Sequence, residues 1–361
     1  METKRFEVLD ALRGLCALAV VTLHFCEAYN HGEYVPHSHL ACEYFFMLTG
    51  FTFVVAYDRR LAQGAMSIGA FLWRRFLRLW PIILIGSFIG LLISFWATGY
   101  ACEYYPESRL TMVKLFFVSL TMVPVRSMSA LMNPMQPQTW TLLYIIYANI
   151  LYVLILRHLK RWFLVAAIVL SLGFTIYATR EYTALYEGWM NTDGHMIVSL
   201  ARMFFPVLLG MFIARKGWRI SFSGCGIFAA VILAYILFAP FEFGFVRATA
   251  GCLERATTGY MELGMLIVLM PLVVLLGAGG SIPEGRFAAF CRFMGKYSFP
   301  LYAIHHPFTS VLHNWISCNP AAPVSVHITC VFAYLVAIFA LAYLAMLAAD
   351  KLADFLKGVF K

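Results

Sequence analysis

DALRGLCALAVVTLHFCE, residues 10–27, is an apolar run interrupted by Arg13 near one end and His24 near the other. Eleven residues at about 100° each make three turns plus roughly 20°, so the two side chains share a helix face about 16 Å apart along the axis. A cation and an imidazole thus look into the same interior. Ionisable groups are costly against lipid and line bundle interiors or wet cavities, where they are candidates for function. A plainer reading stays open on this stretch alone: Arg13 snorkelling to headgroups and His24 bonding a neighbouring helix.

The remaining composition has the same character. Of 361 residues, 62% are hydrophobic and only 12% charged, with a mean hydropathy of +0.78. Soluble domains carry roughly 25% charged residues. The expected fold is an all-α polytopic membrane protein, one domain over 1–361. A net charge of +9 suggests nucleic acid only superficially, because Lys and Arg sit in small groups between apolar runs, the pattern of topology determinants. Nucleic acid is rejected as a partner; the lipid bilayer is the expected one. Nine scattered cysteines without Cys-x-x-Cys suggest neither zinc nor a disulfide framework. The N-terminal run has no small-residue cleavage site after its apolar core and is read as the first span.

Apolar segments recur near 8–28, 40–57, 78–98, 138–156, 162–179, 198–214, 222–239, 261–278, 297–316 and 324–349. A shorter, more polar candidate lies at 112–124. If that segment only dips in or lies on the outer surface, six basic clusters all fall on the cytoplasmic side. These run from Lys4/Arg5 to Lys351–Lys361 and hold 19 of the 27 Lys and Arg. The expectation is therefore about ten transmembrane helices plus a short re-entrant or outer-surface helix, with both termini cytoplasmic. Segments 98–111 and 180–197 are read as outward, and 125–138 as an irregular outward stretch that could roof an opening.

Four further stretches carry candidate chemistry. Thr49 and Gly50 are small residues among aromatics and would let a thin ligand chain approach closely, or serve plain helix packing. Arg75 and Arg78, three apart, share a face at the mouth of the third span, and their guanidinium forks suit phosphate. Trp140, Tyr144, Tyr147 and Asn149 open a span with interfacial and hydrogen-bonding groups. Tyr302 and His305 share a face beside His306 and Pro307. No triad, phosphate-cradling Gly loop or metal-ligand spacing is present, so no metal is expected; His31, His37 and His39 receive no role.

Four of these motifs in order resemble the acyltransferase-3 family of integral membrane acyltransferases. They are Leu-Asp-Ala-Leu-Arg with ten residues between Arg13 and His24, Phe45 to Phe51, Arg74 to Pro81, and Tyr297 to Pro307. The resemblance implies transfer of an acyl group, acetyl foremost, from cytosolic acyl-CoA to a hydroxyl of an extracytoplasmic glycan or related acceptor, at the bacterial inner membrane. It assigns His24 as catalytic histidine, Arg13 as its motif partner, and Arg75 and Arg78 as the arginine motif of the third span. On this reading the donor meets Arg13, Arg75, Arg78, Thr49 and Gly50. His24 is the general base, since an imidazole exchanges protons near neutral pH. Tyr302, His305 or Thr49 would supply oxyanion donors. The chain departs from the family at Ile145 and Ile146, where many members carry a glutamate; Glu27 and Tyr144 are possible substitutes. The alternatives are a proton-coupled transporter or exporter, and a degenerate member acting as a binding subunit.

Overall fold

The computed structural model describes residues 5–96, 108–125, 129, 131–182, 185, 188, 190, 192–239 and 259–359. Most of 98–111, part of 125–138 and of 180–197, and Lys4 and Lys361 lie outside the described residues. Among the described residues eleven α-helical segments follow one another. The first three are α1 (Glu7–Ala28), α2 (Ser38–Ala62) and α3 (Ile68–Trp96). Next come α4 (Arg109–Thr121), α5 (Trp140–Leu154), α6 (Arg161–Tyr182) and α7 (Asp193–Lys216). The chain continues as α8 (Cys225–Phe238), α9 (Gly259–Gly279), α10 (Arg286–Cys318) and α11 (Val324–Val359). The described residues contain no strand, only one bridge between Leu131 and Met190.

Each of the ten apolar segments becomes a helix, and the chain is an all-α polytopic membrane protein. Among the described residues seven helices are long and apolar enough to cross a bilayer by themselves: α1, α2, α3, α6, α7, α9 and α11. Helices α5 and α8, with 15 and 14 residues, reach only about 22 Å against a hydrocarbon core of about 30 Å. Helix α10 has 33 residues but is interrupted by Lys296, Tyr297, Ser298, His305 and His306. The doubtful segment forms α4, 13 residues long and about 20 Å, short of a crossing.

Burial sorts the helices into a centre and a rim. Helices α2 and α7 are the most enclosed of the seven, and α6 and α11 the least. The rim helices expose Trp162, Phe163, Leu170, Ile328 and Phe332, apolar side chains that suit lipid contact. In the centre, α1 packs along α10, and α2 against α7. The second contact is backbone on backbone. A Cβ at Gly50 would stand 1.9 Å from the Val207 carbonyl oxygen, and one at Gly210 2.0 Å from that of Met47. Only glycine permits that approach. Arg202 of α7 then makes a bidentate ion pair with Glu43 of α2, both fully enclosed.

Candidate active site

His24 stands on the face of α1 that meets α10. Its Nδ1 lies 2.6 Å from Glu27 Oε2, one turn on. An ionised carboxylate only accepts, so the proton of this bond is the Nδ1–H, leaving Nε2 with a lone pair. The His305 ring stacks on His24 with centroids 5.3 Å apart, and His306 meets it edge-on at 5.1 Å. A cavity of about 260 Å³ opens here, lined by His24, Glu27, His306, Ser310, Tyr302, Gln138, Trp140 and Arg202 among others.

Three turns along α1 lies a second, cationic region. A small cavity of about 80 Å³ is lined by Arg13, Arg75, Arg78, Thr49, Thr141, Ile145 and Tyr302. Arg13 and Arg78 also border a wide vestibule of about 500 Å³ that holds Arg5, Asp10, Lys296 and Asp350 at the end of the bundle. Arg13 lies 3.3 Å from Asp10. Arg75 is buried, its Nε donating to Asn149 Oδ1 at 2.6 Å. Arg78 makes no ion pair among the described residues, although it borders both cavities. In order, the vestibule, the arginine cavity and the His24 cavity form a series down the centre of the bundle.

The expected site residues fall into place unevenly. Arg13, Arg75, Arg78 and Thr49 meet around one cavity, and Tyr302 joins them to the cavity of His24. Thr49 therefore lies on the arginine side, away from His24. His305 lines none of the three cavities. It is fully buried, and its Nδ1 donates to the Leu301 carbonyl at 3.1 Å. Gly50 faces Val207 and lets two helices touch, so the packing reading of that small residue is the one the structure supports. The Tyr302 hydroxyl donates to the Gln138 carbonyl oxygen at 2.5 Å, which commits its proton to the backbone.

Several contributors escaped the sequence reading. Arg202 lines the His24 cavity, with its guanidinium 4.8 Å from the Trp140 ring centroid and an N–H donated to the His39 carbonyl at 3.1 Å. An arginine in the middle of an apolar span requires a carboxylate somewhere, and Glu43 was the signal available. Gln138 has a structural task that follows from Pro307. A helical proline leaves the carbonyl four residues back without its N–H, here that of Ala303, and Gln138 Nε2 donates to it at 2.6 Å. His37 and His39, given no role above, both meet buried Glu262, at 3.1 and 3.0 Å.

The chain is similar to known proteins. "Protein 2 in picA locus" of Rhizobium radiobacter is 35% identical over 101 residues, which is 28% of this chain and 49% of that protein. The chain thus matches about half the length of this relative. No solved structure matches. A family model described as "Acyltransferase domain" runs through residues 6–347, from the start of α1 into α11. With nearly the whole bundle inside that match, the chain belongs to the acyltransferase-3 family of membrane acyltransferases.

Proposed function

We propose that the protein is an O-acyltransferase of the bacterial inner membrane. It moves an acyl group, acetyl foremost, from cytosolic acyl-CoA to a hydroxyl of an extracytoplasmic glycan or related acceptor. The observation that carries this reading is the serial arrangement of cavities. Four cations against two acids, Arg78 with no ion pair among the described residues, border the wide end, and an imidazole with a lone pair on Nε2 stands about 16 Å further on, the order of a pantetheine arm. Arg13 and Arg78 hold the phosphates of the donor at the vestibule by charge-assisted hydrogen bonds. The acyl thioester reaches the His24 cavity.

There His24 Nε2 takes the proton of the acceptor hydroxyl as its oxygen attacks the thioester carbonyl. The tetrahedral adduct collapses with loss of the thiolate, and the proton on His24 passes to that sulfur. No net proton is consumed. Glu27 holds the ring in the tautomer that leaves Nε2 free and stabilises the imidazolium as it forms, the part a triad carboxylate plays. It takes the place of the carboxylate that the resemblance leads one to expect near Ile145, which here lines the arginine cavity instead.

The decisive experiment is acetyl transfer from labelled acetyl-CoA by the purified protein in oriented vesicles, wild type beside His24→Ala. Solute flux without His24-dependent turnover would replace this reading with the transporter. Arg78→Ala is expected to raise KM for acetyl-CoA by about 10- to 100-fold with kcat changed far less, because the lost contact holds the donor equally before and during reaction. Steady-state kinetics on the reconstituted protein read this directly. For topology, a reporter enzyme fused after Lys160 is expected to be active on the cytoplasmic side; activity on the opposite side would overturn the assignment of both termini to the cytoplasm.

A further inference from the structure

The arginine cavity and the His24 cavity are separate, and Tyr302 is the described residue that borders both. Its side chain is buried, and the hydroxyl is held on several sides. It donates to the Gln138 carbonyl at 2.5 Å, lies 2.9 Å from Thr141 Oγ1, and stands 3.9 Å from Cys42 Sγ. The ring packs edge-on against Phe45 at 5.6 Å, and Phe45 lines the arginine cavity. A phenol whose proton is committed to a carbonyl offers no donor to a reacting oxyanion. What it does offer is a wall, latched to α5 and α2.

Its place on α10 lets that wall move. Pro300 and Pro307 flank Tyr302, and each removes a backbone hydrogen bond from the helix. The segment that carries the side chain is therefore held less by its own ladder than from the side, by Gln138 Nε2 on the Ala303 carbonyl at 2.6 Å. We propose that Tyr302 is a partition between the donor and acceptor halves of the passage. Closed, it keeps water on the His24 side from a thioester waiting among the arginines. Swung aside, it admits the acyl end of the donor to His24. What passes rests on the acyltransferase reading; the partition itself does not, and can be measured without turnover.

Cys42 lines the His24 cavity next to Tyr302, which makes it a reporter. The test uses the full chain with Cys42 as its sole cysteine, reconstituted in vesicles. The anionic, membrane-impermeant thiol reagent sulfonatoethyl methanethiosulfonate, which the arginines attract, is added from either face. In the otherwise wild-type chain, labelling from the vestibule face is expected to be at least about tenfold slower than from the His24 face. Tyr302→Ala should raise the vestibule-face rate about tenfold and leave the other face unchanged. Tyr302→Phe, which keeps the ring and loses the latch, should fall between them.

Equal labelling from the two faces without a Tyr302 substitution, or no change in Tyr302→Ala, would overturn the partition. So would a loss of about 100-fold or more in acetyl transfer by folded Tyr302→Phe, the mark of a missing oxyanion donor. Absence of His24-dependent turnover in wild type would refute the acyltransferase reading while leaving the labelling result to stand.

Discussion

His24→Ala is expected to lower acyl transfer by about 10³- to 10⁴-fold, the contribution of a well-placed general base, while the protein still folds. The two halves of that statement rest on different observations. The His24 side chain is 20% exposed to a cavity and its polar bond is to Glu27 within the same helix, so truncation opens no sealed void and breaks no bond between helices. On the proposed mechanism the chemistry loses its proton acceptor: the stacked His305 lines none of the three cavities, and His306, which does line the cavity, makes no ion pair among the described residues that would stabilise an imidazolium as Glu27 does for His24. Glu27→Gln should give a smaller loss of about 10- to 100-fold, since an amide oxygen can still accept from Nδ1 but cannot stabilise the imidazolium. Rates of labelled acetyl transfer for the two variants, normalised to monodisperse protein, decide the matter. Full activity in His24→Ala would remove the proposed base.

The second large effect concerns stability. Removing the carboxylate in Glu43→Ala is expected to cost about 3–5 kcal/mol, because Arg202 is then left charged, enclosed and without its bidentate partner. Arg202 and Glu43 are 1% and 0% exposed, so water cannot replace the lost bond without entering the bundle. Substituting the pair together, Glu43→Leu with Arg202→Met, should restore most of the loss, since a buried ion pair and well-packed apolar groups of similar volume are often near equal in energy. Thermal unfolding in detergent micelles reads the single and double variants. A double variant as unstable as the single one would show that the pair is not the source. The double variant also asks what Arg202 does for the proposed chemistry, because the residue borders the cavity of His24.

Hydropathy alone was enough to place each helix, since a segment long enough to be buried in lipid must satisfy its own backbone. The face shared by Arg13 and His24 was equally legible, being fixed by helical periodicity, and so was the proximity of Glu27 to His24 at three residues' separation. Contacts between helices were not. Arg202 and Glu43 are 159 residues apart in sequence, and periodicity within a helix does not say which helix lies beside it. Gly50 shows a different limit. A small residue in a span permits close approach of a ligand or of a backbone alike, and only the position of Val207 separates the two. Tyr302 was found by its neighbours on α10, but its role depended on where its single proton went, which no spacing records.

The backbone contact between Gly50 and Val207 has a mechanical consequence. With the α2 and α7 chains already touching there and at Gly210, and cross-braced by an ion pair, that side of the passage has no slack to yield. Helix α10 opposite, its ladder broken twice by proline, does. On the proposed function, a donor arm or acceptor wider than the resting bore would be fitted by displacement of one wall against a fixed one. Substitutions that broaden or narrow the choice of acyl group should accumulate on α10, while α2 and α7 act as the gauge against which each substrate is measured.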